Sequence, residues 1–196
     1  MKTLELGVGG LLGMFAASVF GTACANPPSH YTVYISPHFD PPHMQMVLES
    51  LDEWESKAAN VGLSFDVVIE ERMCDESCDN AFSITSESVE EIRRLSGDPN
   101  AVGTTYHWTD HMGHEWARVF VPGDEADEEA NGIDAVGFSG ITQHEVGHGL
   151  GLQHTFVPGV SLMFPEYQKA APHVMCVDVV QYANLRHENN GFCKDD

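Results

Sequence analysis

Three histidines and a glutamate stand at a spacing that could hold a metal ion and do chemistry on it. Residues 144–154 read His144-Glu145-Val146-Gly147-His148-Gly149-Leu150-Gly151-Leu152-Gln153-His154. On a helix, residues four apart share a face, so His144 and His148 can present two imidazoles to one ion. Glu145, beside the first histidine, can reach a water on that ion without being a ligand itself. Gly149 and Gly151 weaken the helix, and Gly151 is placed to take a left-handed conformation that bends the chain back. The bend lets His154 supply a third nitrogen. Three neutral imidazoles leave the fourth position of a tetrahedral zinc ion open to water, which is the arrangement of a catalytic rather than a structural site. His114-Glu115 and His187-Glu188 begin the same pattern, but neither is followed by histidine at the fifth position.

A second motif follows closely, Ser161-Leu162-Met163-Phe164-Pro165. A methionine on a tight turn can lie beneath three imidazoles as an apolar floor, although a lone loop methionine reads as core filler. From His144 to Tyr167, about 24 residues, the chain resembles the matrixin branch of the metzincins, the matrix-metalloproteinase-like peptidases. The resemblance rests on the motif His-Glu-x-x-His-x-x-Gly-x-x-His, on Val157-Pro158, on Leu162-Met163-Phe164-Pro165 and on Pro165-Glu166-Tyr167. It implies that His144, His148 and His154 are ligands of a catalytic zinc, Glu145 the catalytic base and Met163 the Met-turn residue. It implies further that Pro165, Glu166 and Tyr167 line the pocket for the substrate side chain just after the cleaved bond. The implied activity is that of a secreted zinc-dependent endopeptidase acting on protein or peptide substrates, with a zinc-activated water as nucleophile. The implied fold is α/β (α+β), a metzincin-like zincin fold: a mixed twisted sheet, an active-site helix, a Met-turn and a C-terminal helix. The loop from His154 to Met163 is one residue longer than the family pattern. No cysteine-switch motif is found and there is no room for one between Asn26 and Tyr31, so latency is expected to work otherwise.

The elements that must position these residues can be read from periodicity. Tyr31–Ser36 alternates and is rich in β-formers, and Leu63–Ile69 is a second strand. Between them Pro41-Pro42 opens a helical pattern whose buried face is Met46, Val47, Leu51, Trp54 and Ala58, ended by Gly62. Residues 70–80 form an acidic, cysteine-containing loop, followed by a short strand at Phe82–Thr85 and a short helix at Val89–Leu95. Val102–Trp108 and Ala117–Val121 are strands, and residues 102–107 are the candidate edge along which an extended peptide would pair. A solvated acidic loop is expected over Gly123–Asp134. Ser139 is a candidate cap for the helix that carries the histidine motif to about Gly149. Residues 158–172 are irregular, and Val177–His187 reads as a closing helix in which Asp178 is a cap or a buried polar anchor. Strands alternating with helices and no internal repeat point to one α/β or α+β domain with a mixed sheet.

Two further groups of metal-ligating residues call for weighing. His107, Asp110, His111 and His114 cluster between two strands and could hold a second, structural zinc; the competing reading is a polar loop beside the cleft. Asp124, Glu125, Asp127, Glu128, Glu129 and Asp134 could bind calcium, but they lack the ligand spacing of an EF-hand and also read as a solvated charge run.

Bulk properties bound the rest. The 196 residues carry 9 Lys+Arg against 30 Asp+Glu, a formal net charge of -21, which disfavours nucleic acid and anionic membranes as partners. Lys2 and the apolar stretch Leu6–Phe20, too short and broken for a membrane span, read as an export signal. Ala23-Cys24-Ala25 is a small-x-small cleavage site, giving a signal peptide over 1–25 and one metallopeptidase catalytic domain over 26–196, expected as a monomer. The competing reading is a lipid anchor on Cys24 that ties the protein to the cell envelope. Without Cys24 four cysteines remain, and the simplest disulfides are the local ones, Cys74–Cys78 and Cys176–Cys193, though four cysteines allow three connectivities. A catalytically silent zinc-binding adhesion module is the alternative function, as is a zinc hydrolase of a small non-peptide substrate. The intact Glu145 argues against the first, because a zinc scaffold has no need of a general base.

Overall fold

The computed structural model describes residues 29–110, 114–155, 161–163 and 173–185. The export segment over 1–25, His111, Val157-Pro158, the expected pocket residues Pro165, Glu166 and Tyr167, and Cys193 lie outside the described residues.

Strand β1 (His30–Ile35) buries alternate residues, Tyr31, Val33 and Ile35. Helix α1 (Pro41–Lys57) starts where Asp40 accepts a hydrogen bond from the His43 amide at 3.0 Å, with Pro41 and Pro42 in the first turn, where their missing N–H groups cost nothing. Val47, Leu51 and Trp54 form its buried stripe. The helix stops at Lys57, short of the expected end at Gly62, and a short 3-10 turn at Ala59–Val61 carries the chain to Gly62 at φ +76°. Strands β2 (Ser64–Ile69) and β3 (Ala81–Ser86), helix α2 (Val89–Ser96), and strands β4 (Thr104–Thr109) and β5 (Glu115–Val121) follow.

The five strands form one sheet in the order β2-β1-β3-β5-β4. All neighbours are parallel except β4, which runs antiparallel to β5 with Thr105 opposite Val119 and His107 opposite Ala117. The sheet is therefore mixed, and β4 is a true edge. Central β3 is buried along nearly its whole length, the pattern of a parallel strand covered on both faces. Helix α1 and the later helix α4 (Ala135–Gly149) pack together, and α4 also lies across β5 and β4. Beneath them the core gathers Val33, Ile35, Phe82, Ile84, Val119 and Phe138, all fully buried.

The stretch expected to be a solvated acidic loop contains helix α3 (Glu125–Ala130), capped by Asp124 accepting from the Asp127 amide at 3.0 Å. Acidic side chains in a first turn meet the positive end of the helix dipole, which is why a run of like charges can still wind. Helix α4 (Ala135–Gly149) is capped not by Ser139 but by Asp134, whose carboxylate accepts from the Gly137 amide at 2.8 Å. The aspartate lies a turn earlier, just before the first helical residue, and Ser139 falls inside the helix. Helix α5 (Cys176–Leu185) closes the described chain and carries Asp178 fully buried.

On the face of the sheet away from α1 and α4, Cys74 and Cys78 are buried together with Ala81, against Tyr34 and Trp116. Both are free thiols here, as is Cys176. Burial, reinforced by a hydrogen bond to Cys78, pushes the Cys74 thiol far up from its ordinary value, so it stays protonated.

Candidate metal centre

Helix α4 is buried almost all round, with Phe138, Val146 and Leu150 inaccessible. Each such side chain contributes roughly 1.5–3 kcal/mol through burial. Trp54 on α1 adds a directional tie, donating its indole N–H to the Gln143 carbonyl at 2.9 Å. The helix that presents the histidines is thus fixed in depth and rotation by the core.

The structure brings His144, His148 and His154 together. Their Nε2 atoms lie 3.1 Å apart for His144 and His148, 3.2 Å for His144 and His154, and 3.0 Å for His148 and His154. The far sides of the first two rings are held: His144 Nδ1–H donates to the Leu162 carbonyl at 2.7 Å, and His148 Nδ1–H to the Leu152 carbonyl at 2.8 Å. With the proton on Nδ1, each of these rings turns a lone pair toward the shared point. Three nitrogens each about 2.0–2.1 Å from one zinc ion must lie within about 4 Å of one another, and these do. Burial, with the neighbouring imidazoles adding to it, lowers the His144 pKa to about 3, and burial lowers that of His148 to about 4 and also depresses His154. All three are neutral at neutral pH, the protonation state a metal requires. The donor set fits zinc.

The third histidine reaches the site because the helix ends in a turn. Gly151 has φ +85°, and the Leu152 amide returns to the Gly147 carbonyl at 3.0 Å. A side chain at Gly151 would meet nothing closer than His107 Nε2 at 3.7 Å, so glycine is required by the backbone and not by crowding.

Met163 is fully buried, and a Cβ added at Gly147 would collide with its sulfur and come within 3.1 Å of Trp54 Cζ2. The methionine therefore packs on the one helical position, between His144 and His148, that has no side chain. Asp178 anchors the turn: it accepts from Ser161 Oγ at 2.6 Å, from the Leu162 amide at 3.0 Å and from the Met175 amide at 2.9 Å. The residue so held, Leu162, is the one whose carbonyl orients His144. The Thr155 amide donates to the Met163 carbonyl at 2.8 Å, tying the chain just beyond His154 to the same turn.

Glu145 is nearly inaccessible, 7% exposed. Burial raises its pKa to about 7, against the lowering effect of a hydrogen bond from Thr105. Thr105 Oγ donates to Glu145 Oε2 at 2.7 Å and lies 3.1 Å from the Glu145 carbonyl. Sequence reasoning missed this partner. Val102–His107 was legible as an edge strand, but no spacing rule links a strand threonine to a helix glutamate forty residues on. The histidines and Glu145 open into a cleft of about 940 Å³, walled on one side by Thr105 and His107 of β4 and by Gly103 just before it.

The other candidate ligands are used differently. His107 faces the cleft from β4 with Nε2 3.9 Å from Glu115 Oε2, while Asp110 pairs with His114 at 3.2 Å. Among the described residues, only His144, His148 and His154 converge as three or more ligands on one point. Of the acidic run, Asp124 and Asp134 are helix caps, and Asp127 accepts from the Val89 amide at 2.6 Å, fastening α3 to α2. Glu128 is buried against His43 Nε2 at 3.1 Å.

The sequence profile of the matrixin family matches residues 41–183, a span that holds every element from α1 to the greater part of α5. No curated protein sequence matches the chain. Among solved structures it is similar to high choriolytic enzyme 1, a hatching enzyme zinc-protease from the medaka fish Oryzias latipes. The identity is 13% and the TM-score 0.47, over 87% of this chain and 98% of that one.

Proposed function

This chain belongs to the matrixin family, and from that membership we propose a secreted endopeptidase in which His144, His148 and His154 hold the catalytic zinc and Glu145 is the general base. The family makes it a zinc metalloendopeptidase with peptide substrates. The observation that carries the residue assignment is the convergence of three neutral imidazole nitrogens within 3.2 Å of one another beside a buried carboxylate.

Zinc held by these nitrogens supplies a Lewis acid that acidifies water and polarises a carbonyl. The Leu162 and Leu152 carbonyls keep His144 and His148 oriented for that task. Glu145 takes the proton of the attacking water and passes it to the leaving amine. Burial, which raises the pKa of the Glu145 carboxyl, favours its taking that proton. An extended substrate lies along β4, where backbone pairing gives affinity with little sequence preference. The cleft side chains of that strand, with Pro165 to Tyr167 on the family pattern, shape the pocket. The export-like start of the chain supports secretion, and no helix among the described residues is long and apolar enough to cross a membrane.

The test uses the full chain expressed in a secreting host. Elemental analysis is expected to give one zinc per chain in the wild type and in Glu145→Ala. Casein cleavage is expected in the wild type alone and is abolished by a chelator. Zinc without cleavage of any protein would favour a silent binding module. A folded protein without zinc would overturn the assignment of the three histidines.

A further inference from the structure

The general base does not stand alone in the cleft. Its carboxylate lies against the edge strand, and Thr105 of that strand and Gly103 just before it are shaped to receive it. Thr105 Oγ donates to Glu145 Oε2 at 2.7 Å and is 3.1 Å from the Glu145 carbonyl. Two positions earlier, just before β4 begins at Thr104, Gly103 leaves room for the rest of the side chain. A Cβ added there would fall 2.8 Å from Glu145 Cγ, 2.8 Å from Oε1 and 2.8 Å from Ile141 Cγ2, closer than carbon atoms approach without something shifting. Thr105 and Gly103 thus both meet the Glu145 side chain, which α4 supplies from the other side.

We propose that Thr105 is a positioning residue for catalysis: its hydroxyl clamps one carboxylate oxygen of Glu145, and Gly103 vacates the space that the clamped side chain occupies. This rests on the reading of Glu145 as the general base. A glutamate has three side-chain torsions and at an open cleft would sample several rotamers. The hydroxyl selects one, leaves Oε1 for the proton in transit, and makes the strand that pairs with substrate the same strand that aligns the base. Positioning of this kind acts on the chemical step and not on peptide affinity, because the substrate pairs with the β4 backbone and not with the Thr105 hydroxyl.

The experiment compares the full-length, zinc-loaded wild type with Thr105→Val, Thr105→Ser and Glu145→Gln on a quenched peptide. Valine keeps the β-branched shape and removes only the donor. We expect Thr105→Val to lower kcat about 10-fold, equivalent to about 1.4 kcal/mol, with KM within about twofold of wild type. Thr105→Ser is expected to restore most of kcat. Zinc content is expected to be equal in all four proteins. A readout independent of turnover is the side-chain carboxyl ¹³C resonance of Glu145, assigned by its loss in Glu145→Gln. It should move in Thr105→Val and return in Thr105→Ser. Gly103→Ala is the second approach, expected to displace the same resonance and to lower kcat without a matching change in KM.

The outcomes separate the two levels of the argument. If Glu145→Gln keeps full activity, the base assignment itself fails and the positioning role falls with it. If Glu145→Gln is inactive but Thr105→Val retains wild-type kcat, or its Glu145 resonance does not move, the base assignment stands and the clamp is refuted. A fall in activity carried by KM, or one that serine does not rescue, also refutes it, since either would mark Thr105 as merely structural.

Discussion

The residue predicted to matter most without touching metal or substrate is Asp178. Its Oδ2 accepts from the Leu162 amide at 3.0 Å and the Met175 amide at 2.9 Å, and its Oδ1 from Ser161 Oγ at 2.6 Å, in a fully buried setting. Asp178→Ala strips three donors of one acceptor at once. A buried donor left unpaired costs about 1–3 kcal/mol. Allowing for relaxation and water entry, a loss of about 3–4 kcal/mol is expected, a large part of the total stability of a small domain. The damage has a direction, because Leu162, whose amide is freed, is also the residue whose carbonyl fixes His144 Nδ1 at 2.7 Å. Zinc affinity should therefore fall about 10- to 100-fold, as for the loss of a partner that orients a ligand. Asp178→Asn is the informative companion. Its carbonyl can take the place of Oδ2 and keep both amides, while its NH2 faces the Ser161 oxygen, which can accept. It should cost less than half as much as alanine in both assays. Denaturant unfolding of the apo and zinc forms gives the stability, and chelator competition gives the zinc affinity. An alanine variant that unfolds at the wild-type midpoint and holds zinc as tightly would refute the claim that this carboxylate supports the turn. Equal losses for asparagine and alanine would show that charge, and not the hydrogen-bond pattern, is what matters.

Other expectations follow from particular contacts. Gly147→Ala drives a Cβ into Met163 Sδ and toward Trp54, and should cost about 1–3 kcal/mol by overpacking, read by thermal unfolding; Met163→Ala on the same background should recover part of it. Gly151→Ala meets no steric obstacle, so its cost should be the backbone's alone at φ +85°, about 1–2 kcal/mol, with Gly151→Asn costing less. His43 is buried, with Nδ1 2.6 Å from Asp40 Oδ1 and Nε2 3.1 Å from Glu128 Oε2. Burial opposes its charge, but the two carboxylates outweigh it and its pKa is raised. A raised histidine pKa gives stability that is full below the unfolded value of about 6.5 and is lost as pH rises through the folded value. The stability difference between wild type and His43→Gln should therefore shrink as pH rises above that point. A difference flat from pH 5 to 9 would contradict it.

What the sequence disclosed and what it withheld divide along a physical line. His144, His148 and His154 were legible because helix period and one glycine turn relate them within a single short segment. The β1, α1 and β2 succession was legible because Tyr31, Val33 and Ile35 alternate while Val47, Leu51 and Trp54 recur at helical spacing. Helix α3 was not, because Glu125–Ala130 has no apolar periodicity to betray it and winds on the strength of the Asp124 cap and the ties of Asp127 and Glu128 to α2 and α1. Four of the six carboxylates that suggested a cation site from composition, Asp124, Asp127, Glu128 and Asp134, are spent holding helices. Thr105 and Gly103 were out of reach for a different reason: their importance exists only once β4 lies beside α4, and packing of that kind leaves no mark on local spacing.

The charge balance of the site gives the acidic composition a sharper meaning than solubility. The three candidate ligands are neutral, so a divalent ion among them brings two positive charges into a partly buried place with no ligand charge to oppose them. Compensation must come from elsewhere, and the fold offers it at close range. Glu145 is adjacent in sequence to His144, and its burial, costly for a carboxylate facing nothing positive, is relieved when a cation is present. His148 stands in the last turn of α4, whose carbonyl end carries the negative pole of the helix dipole. With 30 acidic residues against 9 basic ones, the field beyond the cleft adds to both, within the screening length set by salt. The pKa of Glu145, lifted to about 7 in the absence of any cation, should therefore fall once zinc is bound. As pH falls through about 7, apo protein should take up a proton at Glu145 that the zinc form takes up only at lower pH. Zinc binding titrated calorimetrically in two buffers of different ionisation enthalpy should release close to one proton per zinc near pH 6 from wild type. From Glu145→Gln it should release markedly less. Equal release from both proteins would mean that the carboxylate is indifferent to the ion beside it.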